Sequence, residues 1–198
     1  MIKKILDFLL NFYVIIFSNK IFSGFHYFLL HLSQRALGYK NFGNFNKTGE
    51  KLFLKKINKY RIKTSIDIGA NKGDYSREII LNTDSFVIAF EPMKNRYIQL
   101  KKLEKNFPNK IKCFNVALSD RNGENEIYFQ NQSSELASFE KNIKHLSYIR
   151  KEDIRSKKTK VLKLDTFVER ENKLFKQGID FIKIDTEGFD YEVLMGSL

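Results

Sequence analysis

Apolar and polar positions fall in blocks along this chain, and the spacing within each block predicts an element. Thr64–Ile68 is short, rich in β-branched residues and followed by glycines, the pattern of a buried strand running into a turn. A helix over 74–81 follows, with Asp74 as its cap. Phe86–Phe90 is continuously apolar, as a parallel strand covered on both faces must be, and Glu91-Pro92 closes it. Met93, Tyr97, Leu100, Leu103 and Phe107 recur at helical spacing until Pro108 breaks the pattern. A third strand is expected over 111–116, a turn at Asn122-Gly123 and a short strand over 126–129. Residues 131–160 are polar and basic and read as a surface loop. Strand character resumes over 161–164, Asp165 caps a helix running to Phe175, Gly178 ends it, and 180–185 is the next strand. Strands alternating with helices make right-handed crossovers and a doubly wound, mostly parallel α/β sheet the simplest topology.

The first part of the chain is different. Residues 5–17 are almost wholly apolar, Ser18-Asn19-Lys20 interrupt, and a second apolar stretch covers 21–32. Neither run comfortably spans a bilayer. Asp7, Asn11 and Ser18 form a narrow polar stripe on an otherwise apolar helix, which must bury most of its surface. No small-x-small cleavage site follows, which disfavours a signal peptide. Two readings stay open: a helix lying in or anchored to a membrane surface through residues 5–32, with lysines at the headgroups, or a helix packed on the domain or a partner. The expected organisation is an apolar helical segment over 1–37, a glycine-punctuated linker over 38–45 and a single domain over 46–198, whose first helix carries Leu52, Phe53, Ile57 and Tyr60.

With 198 residues, 42% of them hydrophobic, the chain builds one core and has no room for a second catalytic domain. The formal net charge of +12 fits a nucleic acid, an anionic membrane surface or merely a lysine-rich exterior. Lys141, Lys144, Arg150, Lys151, Arg155, Lys157, Lys158 and Lys160 crowd into the expected loop, which weighs against a nucleic-acid groove. His145 lies among them and reads as a surface histidine before a catalytic one. The one cysteine, Cys113, excludes an intramolecular disulfide and reads as core filler. A cytoplasmic location follows as the default, on the inner face of the membrane if the first helices bind there.

Candidate chemistry begins at Asp67-Ile68-Gly69-Ala70-Asn71-Lys72-Gly73, where glycines between strand and helix let a ligand approach the backbone. The dinucleotide fingerprint fails, because Asn71 and Ser76 stand where glycines are required. Glu91 ends the second strand eighteen positions beyond Gly73, where a carboxylate can accept both ribose hydroxyls of an adenosine. Lys183 in an apolar strand needs a partner, for which Asp67 on the neighbouring strand is the candidate, a solvent-facing Lys183 being the alternative.

Four blocks, Ser65-Ile-Asp-Ile-Gly-Ala-Asn-Lys-Gly-Asp-Tyr-Ser, Ala89-Phe-Glu-Pro, Asn115-Val-Ala-Leu-Ser-Asp with Gly123, and Asp180-Phe-Ile-Lys-Ile-Asp-Thr-Glu-Gly, resemble the FkbM family of methyltransferases over roughly residues 47–198. The resemblance implies a Rossmann-like class I fold and S-adenosyl-L-methionine as cofactor. Asp67, Gly69, Ala70, Asn71 and Gly73 would lie near its methionine part, Glu91 with Pro92 at the ribose, and Asn115, Ala117 and Leu118 beside the adenine. Asp185 and Glu187, at the carboxyl end of a central strand, would face the sulfonium and the acceptor as the catalytic pair, either taking the hydroxyl proton or helping to hold a divalent metal. The implied activity is O-methylation of a glycan or other small molecule. An RNA acceptor, a non-catalytic cofactor-binding fragment and, more distantly, a nicotinamide dehydrogenase are the alternatives. Domains of this class carry further strands, so the sheet is expected to be truncated after the fourth strand, leaving 180–185 as an apolar edge.

Overall fold

The computed structural model describes residues 2–36, 45, 49–129, 137–138 and 155–197. They fall into two units, Met1–Leu52 and Phe53–Leu198. In the first, α1 (Ile2–Phe17) and α2 (Ser23–Ala36) meet at a sharp elbow built on a 3-10 turn, Lys20–Phe22, and their axes differ by 98°. Neither is long and apolar enough to cross a membrane by itself.

After α3 (Glu50–Ile57), the second unit is an α/β fold. Strands β1 (Thr64–Ile68), β2 (Phe86–Phe90), β3 (Ile111–Phe114) and β8 (Phe181–Ile184) form an all-parallel sheet in the order β3-β2-β1-β8. Between these lie α4 (Asp74–Asn82), α5 (Lys94–Asn106) and, before β8, α6 (Leu164–Arg170). A second sheet, in the order β4-β7-β5-β6, joins β4 (Ala117–Leu118), β5 (Gly123–Phe129), β6 (Ala137–Ser138) and β7 (Arg155–Leu162). The short α7 (Asp190–Met195) follows β8.

The pleat of the parallel sheet divides its side chains. Ile66, Ile68, Ile88 and Phe90 point into a core completed by Val116, Leu118, Leu162, Phe167, Phe175 and Val193. Phe167 is its hub, meeting Phe90, Phe114 and Phe175 edge to face with ring centroids 4.7, 4.7 and 6.1 Å away. On the opposite face Asp67 receives Ser76 of α4, so helices cover both faces and the doubly wound reading holds. Asp180 fixes the entry of β1: its carboxylate accepts the backbone N–H of Lys63 at 2.6 Å and of Thr64 at 3.0 Å, which hold it below the usual carboxylate range. Strand β8 is an edge of the parallel sheet among the described residues, with Ile182 39% exposed.

Several boundaries differ from the sequence expectation. The strand expected over 111–116 is shorter: β3 stops at Phe114, and a separate strand, Ala117–Leu118, pairs with β7 in the other sheet. The break is Asn115, whose side-chain amide turns to the carbonyl oxygens of Glu91 and Pro92 at 2.8 and 3.0 Å. Asp74 does not cap α4. Gly73 holds that position at φ +95°, with Asp74 in the first turn beside the helix dipole. Likewise Asp165 lies inside the first turn of α6, after Lys163, and the helix ends at Arg170 before a 3-10 turn, Asn172–Leu174. The 161–164 strand is the end of the longer β7, and Leu164 already belongs to α6.

The basic loop is also corrected in part. Residues 155–160 are strand, paired antiparallel with β5 so that Lys158 faces Glu126 and Lys160 faces Glu124. Ser156 Oγ also donates to Glu126 at 2.6 Å, so the ladder and a cross-strand side-chain bond hold a strand that has little apolar content of its own. Lys141, Lys144, His145, Arg150 and Lys151 lie outside the described residues. Cys113 is 5% exposed, and burial pushes its thiol well up, as suits core filler.

Truncating the aromatic hub removes packing from three rings at once. Phe167→Ala is expected to cost about 3–5 kcal/mol, read as a lower urea midpoint with an unchanged slope.

Candidate functional site

The carboxyl ends of β1, β2 and β8 converge on the loop that follows β1. Gly69 and Ala70 donate their backbone N–H to Phe90 O at 3.1 and 2.9 Å, and Asp185 N donates to Ile68 O at 3.1 Å, so the loop is tied to both neighbouring strands. Gly69 adopts φ +76°, and a Cβ there would collide with the carbonyl oxygen of Asp185. Only glycine satisfies both constraints. Gly73, also at positive φ, lies against Leu100 and Leu103 of α5 and lets α4 start close to its neighbour.

Glu91 closes this loop from the end of β2. One carboxylate oxygen accepts Asn71 N–H at 2.8 Å and the other accepts Met93 N–H at 2.7 Å. The residue is 5% exposed, and burial pushes its carboxyl up to about 7, against the two backbone donors and the Arg96 charge, which lower it. Asn71 stands at φ +52°, and its side-chain oxygen is buried with no protein partner.

Lys183 is the electrostatic centre. Its Nζ lies 3.1 Å from Asp67 Oδ1, 3.6 Å from Asp185 Oδ2 and 3.3 Å from the Gly69 carbonyl oxygen, with the Tyr75 ring centroid 5.5 Å away. Asp67 is fully buried and also accepts Ser76 Oγ at 2.6 Å. The expected Lys183–Asp67 partnership is therefore present, between directly paired residues of β1 and β8. Asp185 is open to solvent, its side chain 63% exposed. Glu187 follows at φ +54°, and partial burial, with the charges of Asp185 and Asp190, raises its carboxyl above the ordinary range. Thr186 is fastened to Asp190 through both its backbone N–H and its hydroxyl.

A family model for the methyltransferase FkbM domain matches residues 67–198. The chain belongs to the FkbM methyltransferase family. No curated protein matches it. The FkbM match begins at Asp67 itself, later than the 47–198 span of the sequence resemblance, and takes in the glycine loop, Glu91, Asn115 and the Lys183–Glu187 segment.

Within this FkbM domain, hydrogen bonds and ion pairs join most of the expected site residues into one constellation. Asp67, Gly69 and Asp185 meet at Lys183, Asn71 is held by Glu91, and Asn115 grips the backbone of Glu91 and Pro92. Ala70 sits 3% exposed in the turn that Gly73 N–H closes on its carbonyl. Ala117 and Leu118 stand apart as core residues, 4% and 2% exposed, in the second sheet. Among the described residues no group of three or more His, Cys, Asp or Glu is arranged to hold a metal ion. Sequence reasoning missed Ser76, Tyr75, Arg96 and Asp190. Ser76 carried a usable signal, since a hydroxyl one turn into the helix after a strand aspartate is placed to donate to it.

Lys183→Met leaves the buried Asp67 carboxylate without its cation and is expected to destabilise the fold by about 3 kcal/mol or more. Adding Asp67→Asn should return most of that loss. Urea titrations of both single variants and the double variant measure the coupling, and additive losses would show that the pair does not act as a unit.

Proposed function

We propose that this FkbM domain is an S-adenosylmethionine-dependent methyltransferase acting on a hydroxyl oxygen of a glycan or other small molecule. The observation that carries the cofactor assignment is the buried Glu91 carboxylate. Each of its oxygens accepts one backbone N–H and keeps acceptor capacity for another donor, which suits a pair of ribose hydroxyls. The cofactor also fits its surroundings: Asn71, in the loop after β1, offers a buried oxygen with no protein partner. When bound, S-adenosylmethionine supplies a methyl group activated by the neighbouring sulfonium charge.

A hydroxyl acceptor has to lose a proton, and the site offers two carboxylates at the strand end. Glu187 suits the task better, because partial burial and two acidic neighbours raise its affinity for a proton, whereas Asp185 faces the Lys183 ammonium. In this reading Glu187 takes the proton, and Asp185 with Lys183 orients the acceptor, so that positioning supplies much of the acceleration. A small acceptor is favoured over RNA because two of the lysines on β7 face glutamates of β5.

Ribose hydroxyls donate to the ionised carboxylate, and Glu91 ionises only as pH passes about 7. S-adenosylhomocysteine affinity, measured by calorimetry, is therefore expected to rise about tenfold from pH 6 to pH 8, as the ionised fraction does. Glu91→Gln should bind weakly with no such slope, and tight binding by that variant at pH 8 would remove Glu91 from the cofactor site. Glu187→Gln is expected to lower kcat about 10²-fold or more while leaving S-adenosylhomocysteine affinity within twofold. Unchanged turnover would assign the proton to another group.

A further inference from the structure

We propose that the α1–α2 elbow seats the protein on an anionic lipid bilayer surface, with both arms lying in the membrane interface. Its surface is apolar to a degree that water does not favour: Phe8 is 68% exposed, Ile15 82%, Ile21 89% and Phe28 62%, and α2 has no buried residue. At 1.5 Å per residue, arms of 16 and 14 residues are about 24 and about 21 Å long, short of a hydrocarbon core of about 30 Å. Two straight arms joined at one corner always share a plane, so a bend of 98° lets both lie flat together.

The elbow itself carries the argument for lipid. A broken helix exposes backbone donors and acceptors that water satisfies freely and acyl chains do not. Here polar side chains of the break itself take up several of them. Asn19 Oδ1 accepts Ile21 N–H at 3.1 Å, Asn19 Nδ2 donates to Ile16 O at 3.3 Å, Ser23 Oγ donates to Lys20 O at 2.8 Å, and His26 Nε2 lies 3.0 Å from Phe17 O. Charge agrees with the same partner: Lys4 opens the narrow polar stripe of α1 that continues through Asp7 and Asn11, and Lys20 stands at the corner. A shallow open hollow of about 420 Å³ in the corner has Lys20 and Ser23 beside Tyr27 and Leu30, an amphipathic lining that matches the boundary between headgroups and acyl chains.

The chain contains no tryptophan, so Ile15→Trp in the full chain gives a single reporter. Mixed with vesicles of phosphatidylcholine and phosphatidylglycerol at 3:1, this protein should float with the lipid and shift its emission to the blue. Phe8→Asp with Phe28→Asp, with circular dichroism unchanged, should cut the bound fraction at least tenfold. Lys4→Gln and Lys20→Gln should each weaken binding to these vesicles about fivefold and leave binding to pure phosphatidylcholine unaltered. The proposal is overturned if the parent chain stays with the lipid-free fraction, as a monomer or as a second-copy dimer that the aspartate substitutions dissociate. It is equally overturned if the aspartate or lysine variants bind as the parent does.

Discussion

The ion pair between Lys183 and Asp67 is the interaction on which the rest of the site depends. A fully buried carboxylate carries a desolvation cost of several kcal/mol, offset only when a cation and further donors surround it. Lys183 and Ser76 meet that requirement, and in doing so they bind β1 to β8 on one side and to α4 on the other. The same ammonium reaches the Gly69 carbonyl and Asp185. One charge therefore fixes the strand register, the course of the glycine loop and the place of a candidate catalytic carboxylate. A hydrophobic pair would stabilise the sheet as well or better, but it would hold none of the three polar groups around it.

Glu91 plays the corresponding part on the other side of the loop. It connects β2 to Asn71 through a backbone donor, while Asn115 fastens the chain after β3 to the backbone at the end of β2. Side-chain groups here are committed to main-chain partners, while each Glu91 oxygen keeps spare acceptor capacity and the buried side-chain oxygen of Asn71 has no protein partner. Acceptors already fixed in place suit the hydroxyls of the proposed adenosyl group, because little ordering is left to be done on binding.

The α/β order and much of the constellation were legible in the sequence because each had a local signature. A lysine inside an apolar strand demands a counter-charge, and the adjacent strand holds a single acid. The boundaries were not legible where a side chain from elsewhere set them. Asn115 divides an apolar run because two carbonyl oxygens of another strand end accept its amide, and residue spacing carries no trace of that. Lys157, Lys158 and Lys160 read as loop because a strand is expected to alternate apolar and polar residues. β7 is instead held by its antiparallel ladder with β5 and by Ser156 Oγ donating to Glu126 at 2.6 Å, which only tertiary pairing reveals. Gly73 rather than Asp74 caps α4 because that position takes φ +95°, which glycine adopts without strain, while packing against Leu100 and Leu103.

Glu187 shows where local preference gives way to site geometry. A non-glycine residue in the left-handed region costs about 1–2 kcal/mol, and glutamate has no short polar side chain to ease the strain. Gly188 next to it also takes positive φ, so two successive residues reverse the chain between β8 and α7. Asp190 holds the turn from the helix side through Thr186, and β8 is held from the strand side through Lys183. Fixed at both ends, the turn keeps Glu187 beside the negative charges of Asp185 and Asp190, the arrangement that raises its proton affinity. Relaxing the backbone at this position would remove strain and, with it, the means of keeping an acidic cluster together at the strand end.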